Sequence, residues 1–249
     1  MTLEPIQFDT KLADLSVCIG FPCVPNIPWQ TALSLVKTAQ SCEHNGVPCR
    51  VEFLGSCPYV PTARSLVLDA FLKGNASRLF WIDNDIVWEP QDFFKLLRLS
   101  EKMDVISGIY PLKTERKQFT VHHPDLRTFE INQYGMVKVL GLGMGFTVMT
   151  RAVVERFAAT KQLVSKMDGS GPMHDAFRLD TIPGDDYPVP RGEDMAFYAD
   201  LRELGYDIWM DPTLQLGHVG NYVHRADPVE AFGLQDLYRP KASANPTQE

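Results

Sequence analysis

Three places in this sequence hold side chains whose types and spacing can do chemistry. The first is Asp83-Asn84-Asp85, directly after the apolar run Arg78–Ile82. Two carboxylates two residues apart at the end of a buried strand can share one hard divalent cation, and such ions commonly bridge to a substrate diphosphate. The same residues would also serve as a strand-end turn and helix cap. The second place is Gly192-Glu193-Asp194, which opens a helical pattern. A carboxylate there can act as a general base or orient an acceptor hydroxyl; it can also simply cap the helix and complement its dipole. The third is His218 in Leu216-Gly217-His218-Val219-Gly220. Its glycines permit close approach of a ligand, and imidazole binds manganese-type ions alongside carboxylates. A hydrogen-bonded histidine at a strand end is the alternative. His224 lacks this setting. His122-His123 precede Pro124 on a hairpin pattern and read as structural or acceptor-side.

Other segments exclude or narrow the chemistry. Gly141–Gly145 (GLGMG) carries no Lys-Ser/Thr and does not open a helix after the first strand, so it is neither a Walker motif nor a dinucleotide fingerprint. It fits a turn that brings backbone close to a sugar or acceptor. No G-x-S-x-G or H-E-x-x-H occurs, which leaves serine-hydrolase and zincin readings without support. Lys113, Arg116 and Lys117 make a local basic patch or a solvated loop. The net charge of −7 weighs against a general nucleic-acid coat.

The elements that must position these residues follow from hydrophobic period and breakers. Strands are expected at Leu15–Phe21, Cys49–Leu54, Arg78–Ile82 and Val105–Ile109, and helices at Trp29–His44, Ala63–Lys73 and Pro90–Met103. That alternation predicts a parallel sheet with helices on both faces. In an open sheet of this kind ligands bind beyond the carboxyl ends of the strands, where Asp83 and Asp85 stand. The second half is less regular. Gln118–His122, Thr128–Asn132 and Met136–Leu140 read as strands, as do Phe146–Met149, Ile208–Met210 and Leu214–Leu216. Arg151–Lys161 and Glu193–Leu204 read as helices. Residues 162–190 show no clear period, and a loop that long inside a compact domain is usually functional or disordered. Residues 240–249 read as a disordered tail.

A chain of 249 residues can bury one large core as a single domain. No run approaches the roughly 20 apolar residues of a membrane span, and the N-terminus has neither the basic nor the apolar part of a secretory signal. The five cysteines, Cys18, Cys23, Cys42, Cys49 and Cys57, are odd in number and form no C-x-x-C pair. They are expected to be small buried hydrophobes in a reducing cytoplasm rather than a disulfide or zinc framework.

The order of the pieces carries more than any one of them. A strand runs into Asp-x-Asp; Ser107–Lys113 (SGIYPLK) follows; then GLGMGFTVMT, the Gly-Glu-Asp helix and a Gly-His. This series, from about Leu15 to about His224, resembles the GT-A glycosyltransferases, particularly small bacterial and bacteriophage members related to family 2. The resemblance implies an α/β fold of GT-A type: a mostly parallel central sheet flanked by helices, with a smaller antiparallel part in the second half. One domain would span residues 1–239, with a nucleotide-binding half at about 15–110 and an acceptor half at about 111–239. Asp85, with Asp83 helping, would bind Mn²⁺ or Mg²⁺ against the diphosphate of a nucleotide-sugar, UDP-linked by expectation, and His218 would complete the metal site. Asp194 would be the base, with Glu193 beside it. Arg64 and Lys113 would face the donor, although many relatives carry Asn after that Arg where this chain has Ser65. Phe21, Pro22 and the residues up to Val24 would hold the base.

A mobile lid at 162–190 would exclude water. The acceptor could be a hydroxymethylated pyrimidine in DNA, or a surface polysaccharide or lipid-linked sugar; the latter usually come with a membrane anchor or basic amphipathic segment. Two further classes compete. A sugar nucleotidyltransferase would carry a Gly-rich basic loop where this chain has Pro22-Cys23-Val24-Pro25. A non-catalytic nucleotide-sugar-binding module would not need Asp194 beside the metal.

Overall fold

The computed structural model describes residues 6–22, 26–54, 57–122 and 129–238. The first half alternates as expected: β1 (Val17–Phe21), α1 (Trp29–His44), β2 (Cys49–Phe53), α2 (Val60–Lys73), β3 (Arg78–Ile82), β4 (Ile86–Val87), α3 (Pro90–Leu99) and β5 (Val105–Gly108). Then come short strands β6 (Val121–His122), β7 (Val137–Val139) and β8 (Gly141–Leu142), followed by β9 (Phe146–Thr150) and α4 (Arg151–Ala158). Two hairpins follow, β10 (Leu163–Ser165) with β11 (Pro172–His174) and β12 (Asp180–Ile182) with β13 (Val189–Arg191). The chain continues through α5 (Glu193–Glu203), β14 (Ile208–Asp211), β15 (Gly217–Val219), β16 (Val223–Arg225), α6 (Pro228–Ala231) and α7 (Gln235–Tyr238).

Seven strands form the central sheet in the order β2-β1-β3-β9-β5-β14-β7. Pairs β2–β1, β1–β3 and β5–β14 are parallel. β9 enters antiparallel between β3 and β5, and β7 is an antiparallel edge. The sheet is therefore mostly parallel, but β3 and β5 are not neighbours. An apolar run such as FTVMT announces burial and not direction, so its insertion at the centre was not readable from period.

Strand pleat divides the core into two layers. Leu79 and Trp81 point to one side of β3, toward Val67, Phe71, Phe157 and Phe197. Phe80 and Ile82 point to the other, toward Phe93, Leu96 and Phe146. Cys18 and Cys42 lie buried within these layers, as small hydrophobes do, and Cys49 and Cys57 are partly buried. Cys23 lies outside the described residues.

Several boundaries differ from the sequence reading. α2 begins three residues early because Pro61 sits in its first turn, where a missing N–H costs nothing. α3 ends at Leu99 rather than Met103, and α4 at Ala158 rather than Lys161. Residues 162–190 are two hairpins rather than a featureless loop. Their strands are three residues long and largely exposed, so they show no alternation to detect. Leu214 and Leu216 are core residues before β15 and not a strand of their own. Of Thr128–Asn132, Thr128 lies outside the described residues and Ile131 makes an isolated bridge to Val137. The expected tail at 240–249 also lies outside them. No helix among the described residues is long and apolar enough to cross a membrane.

Phe80 ties the second layer together, stacked on Phe93 at 4.6 Å between ring centroids and edge-on to Phe146 at 4.9 Å. Phe80→Ala should cost about 3–5 kcal/mol of stability, read as a lowered urea midpoint at unchanged slope. A loss under about 1 kcal/mol would mean that the layer closes over the gap.

Candidate active site

The carboxyl end of β3 is where the chemistry-bearing residues meet. β3 emerges from the core into a turn in which the Ile86 amide donates to the Asp83 carbonyl at 3.2 Å. Neither Asp83 nor Asp85 caps α3; that helix starts on its own Glu89–Asp92 capping box. The turn leads into β4, which pairs antiparallel with β15 so that His218 stands opposite Ile86. The Val219 amide donates to the Asp85 carbonyl at 2.7 Å. This register brings together two residues 133 positions apart: His218 Nε2 lies 3.4 Å from Asp85 Oδ1.

The His218 tautomer follows from its other nitrogen. Nδ1 lies 2.9 Å from the Pro111 carbonyl oxygen, which can only accept, so Nδ1 carries a proton. Nε2 is thus aimed at a carboxylate oxygen, an arrangement that needs a proton or a cation between them. Tyr110 packs edge-on against the imidazole at 5.1 Å and fixes the ring plane. The other Asp85 oxygen, Oδ2, lies 2.5 Å from Lys113 Nζ. Burial pushes the Asp85 carboxyl up, but the hydrogen bonds from His218 and Lys113 outweigh it and hold its pKa below the usual value.

Asp83 belongs to a second cluster. Arg64 projects from α2 and is 2% exposed. Its Nη2 lies 3.0 Å from Asp83 Oδ1 and 3.3 Å from Asp194 Oδ1, and its Nε is 3.8 Å from Glu193 Oε1. The guanidinium carbon sits 5.8 Å from the Trp81 ring centre. Burial opposes the Arg64 charge, and the three carboxylates more than restore it. One guanidinium cannot neutralise three acids. Burial first, then the neighbouring Asp83 and Glu193 charges, push Asp194 up to about 6 against the pull of Arg64. Burial likewise raises Asp83. Among the described residues, Arg64 Nε and Nη1 and Asp194 Oδ1 have no hydrogen-bond partner, although all three are buried. Buried polar atoms are rarely left so, and such atoms in a cleft are candidates to meet a ligand.

The GLGMG segment joins the two clusters. The Gly145 carbonyl accepts from the Asp83 amide at 3.0 Å, and the Gly145 amide donates to the Tyr110 hydroxyl at 3.0 Å. The Met144 amide donates to Asp194 Oδ2 at 3.1 Å. Asp194 therefore uses its side chain on this loop, while Glu193 and Asp194 also stand in the first turn of α5, where acids complement the helix dipole. A Cβ on Gly145 would come within 2.6 Å of Asp83 Oδ2, and one on Gly143 within 2.5 Å of the Tyr110 hydroxyl. The glycines are there for space.

The remaining expected residues fall as follows. Phe21 and Pro22 are buried, and Phe21 stacks at 5.1 Å on Phe53, whose own ring is 45% exposed. Phe53, not Phe21, presents an aromatic surface. Cys23, Val24 and Pro25 lie outside the described residues, as do His123 and Pro124. His224 is buried, bonds the Thr114 carbonyl through Nδ1 at 3.2 Å and stacks on Tyr222. His122 is exposed on β6. Ser65 accepts from the Ala176 amide at 3.3 Å and so ties α2 to the hairpin segment. The residues missed from sequence are Tyr110, the Pro111 carbonyl and the Met144 and Gly145 amides. Tyr110 lay inside the quoted SGIYPLK stretch, but nothing in its spacing tied it to GLGMG.

No family model and no curated protein matches the chain. Solved structures do. A197 from STIV matches with a TM-score of 0.55 at 19% identity, over 86% of this chain and 90% of that one. GalNAc-T7, crystallised with UDP, GalNAc and Mn²⁺, matches with a TM-score of 0.50 at 10% identity; this chain is covered over 86% and spans 44% of that protein. The fold is GT-A-like. A glycosyltransferase involved in glycosylation of the major PBCV-1 capsid protein also matches, with a TM-score of 0.33 at 9% identity over 57% of this chain and 63% of that one.

A GT-A-like fold raises the question of a divalent ion, and the donor set answers it in part. Among the described residues no three His, Cys, Asp or Glu side chains converge on one point. Of the expected trio of Asp83, Asp85 and His218, Asp83 is bonded to the buried Arg64, and Asp85 and His218 face each other. The pair fits: ligand atoms about 2.1 Å from one ion in an octahedral arrangement sit about 3 Å apart, close to the 3.4 Å between Asp85 and His218. Ions of this class commonly take one or two protein carboxylates and fill the rest of their shell with phosphate oxygens and water.

The Asp194 shift makes a stability prediction. A carboxyl raised from about 4 in the unfolded chain to about 6 in the fold holds a proton more tightly when folded. Its contribution is fully present below about pH 4 and is lost as pH rises through about 6. Asp194→Asn, measured by urea unfolding in chelator, should remove up to about 3 kcal/mol of pH dependence across that window. A variant as steeply pH-dependent as the wild type would show that Asp194 is not held this way.

Proposed function

We propose that this chain is a metal-dependent glycosyltransferase that moves a sugar from a nucleotide-sugar, UDP-linked, to an acceptor hydroxyl. The observation that carries this reading is the junction at the end of β3. There a carboxylate–imidazole pair suited to a divalent ion adjoins a buried carboxylate cluster, and one glycine loop bonds that cluster's Asp83 and Asp194 and the Tyr110 that packs on the imidazole. The GT-A-like fold supports it. Asp85 and His218 would hold Mn²⁺ or Mg²⁺. When bound, that ion supplies Lewis-acid neutralisation of the leaving diphosphate.

The chain's own residues do the rest. Asp194, with a pKa near 6, is largely ionised at neutral pH yet basic enough to take the acceptor proton, the compromise a general base requires. Arg64 keeps that carboxylate in place and offers its Nη1, which has no hydrogen-bond partner among the described residues, to the donor. Glu193 orients the same guanidinium. Phe53 and the buried Phe21 beneath it would form the side of the cleft that receives the base. Lys113 adds positive charge for the phosphates.

The hairpins at 162–190 would act as the lid. Their bases are anchored: His174 Nδ1 meets Asp69 of α2 at 2.5 Å and Arg178 meets Asp200 of α5 at 2.5 Å, while Arg191 and Asp180 close the second hairpin on itself at 2.6 Å. Their turns expose Met167 and Tyr187. For the acceptor, the exposed Arg116 and Lys117 beside the site keep a hydroxymethylated pyrimidine in DNA first in the screen.

The test is thermal unfolding against a panel of nucleotide-sugars with and without Mn²⁺. The right donor with Mn²⁺ should raise Tm by about 5–10 °C at about 100 times its Kd. Asp85→Ala should abolish the Mn²⁺-dependent part and leave the fold intact. Asp194→Ala should keep the shift and lose transfer; normal turnover would remove Asp194 as the base. Equal donor binding with no turnover by the wild type on any acceptor would point to a binding module. Trimming the second hairpin should raise donor hydrolysis relative to transfer, and an unchanged ratio would dismiss the lid.

A further inference from the structure

The segment after β5 touches both members of the Asp85–His218 pair. The Pro111 carbonyl accepts a hydrogen bond from His218 Nδ1. Two residues on, the Lys113 ammonium lies 2.5 Å from Asp85 Oδ2. The backbone beneath Lys113 is fixed: the Leu112 amide donates to the Gln118 carbonyl at 2.7 Å, and Pro111 bridges Phe119. The side chain is less confined. It is 39% exposed, and its stem passes over Gly220, where an added Cβ would stand 3.5 Å from Lys113 Cδ.

Charge makes this contact consequential. Asp85 turns one oxygen to His218 and the other to Lys113. A divalent ion held by Oδ1 and the imidazole would stand within a few ångströms of the ammonium on Oδ2. Two cations on one carboxylate repel, and the ammonium also spends the negative charge that attracts the ion. Lys is a compact point charge on a flexible four-carbon stem, so it can change partners without moving backbone. The diphosphate of a nucleotide offers it a second anionic partner.

We propose that Lys113 is a displaceable counter-charge: on Asp85 it opposes the divalent ion, and a nucleotide diphosphate draws it off, so that ion and nucleotide bind as a cooperative pair. This rests on the assignment of Asp85 and His218 as the metal-holding pair. Coupling of this kind is reciprocal, so the ion strengthens nucleotide binding by the factor by which the nucleotide strengthens ion binding.

The experiment is Mn²⁺ binding to the full chain, followed by the loss of the free-ion electron paramagnetic resonance signal, with and without UDP. The wild type, Lys113→Met and Asp85→Asn are compared, with circular dichroism confirming that each is folded. Lys113→Met keeps the stem and removes the charge. It should bind Mn²⁺ about tenfold more tightly than the wild type when UDP is absent, and UDP should improve its Mn²⁺ affinity by a smaller factor. Unchanged or weaker Mn²⁺ binding by Lys113→Met, with Asp85→Asn still impaired, overturns the counter-charge and leaves the metal assignment standing. If the wild type and Lys113→Met both bind no better than Asp85→Asn, the metal assignment fails and the counter-charge with it.

Discussion

The site depends on one buried guanidinium. Arg64 is almost wholly removed from water and faces Asp83, Glu193 and Asp194 across distances of 3.0 to 3.8 Å. Burying a lone charge costs several kcal/mol, and the attraction of buried partners only offsets that when the geometry is good. Here the acids exceed the base. Burial first, and then the neighbouring negative charges, lift Asp83 and Asp194 toward protonation, and several buried polar atoms have no hydrogen-bond partner among the described residues. Taken as stability alone, such a cluster is a poor use of polar groups.

Three parts of the chain distant in sequence must agree for Arg64 to be so placed. α2 carries it, β3 ends in Asp83, and α5 opens with Glu193 and Asp194. The GLGMG loop links β3 to α5, its Gly145 carbonyl accepting from the Asp83 amide and its Met144 amide donating to Asp194. The absence of a Cβ at Gly143 and Gly145 lets Tyr110 and Asp83 approach that backbone. The short β4–β15 pairing then aligns His218 with Asp85 to one side. Backbone register, rather than flexible side-chain reach, therefore sets the geometry of both clusters, which is the stiffer way to build a site.

The hairpins illustrate the same economy. They bury little, and they are fastened at their bases by Ser65, Asp69 and Asp200 to the helices that carry Arg64 and Asp194. Lys161, three residues beyond α4, joins Arg178 on Asp200, so the end of that helix, the hairpin segment and α5 share one carboxylate. Asp69 and Asp200 are buried, so desolvation offsets much of the attraction in these pairs. Their value is in fixing where the hairpins leave the core.

The sequence by itself determined the elements and the residue types. Apolar runs marked β1, β3 and β9, helical period marked α1, α2 and α3, and the order of Asp-x-Asp, GLGMG, Gly-Glu-Asp and Gly-His pointed to a GT-A-like fold. These features are local, because period and turn chemistry act within a few residues. The tertiary structure alone decided the partners. It inserted β9 antiparallel between β3 and β5, bonded Asp83 to Arg64, and set Lys113 on Asp85. It put Phe53 at the surface where Phe21 was expected and built hairpins where no period was visible. The hairpins are local but nearly without burial, and the other choices depend on how segments apart in the chain pack, settled by burial and charge after the chain has closed. No spacing along the sequence encodes such a choice.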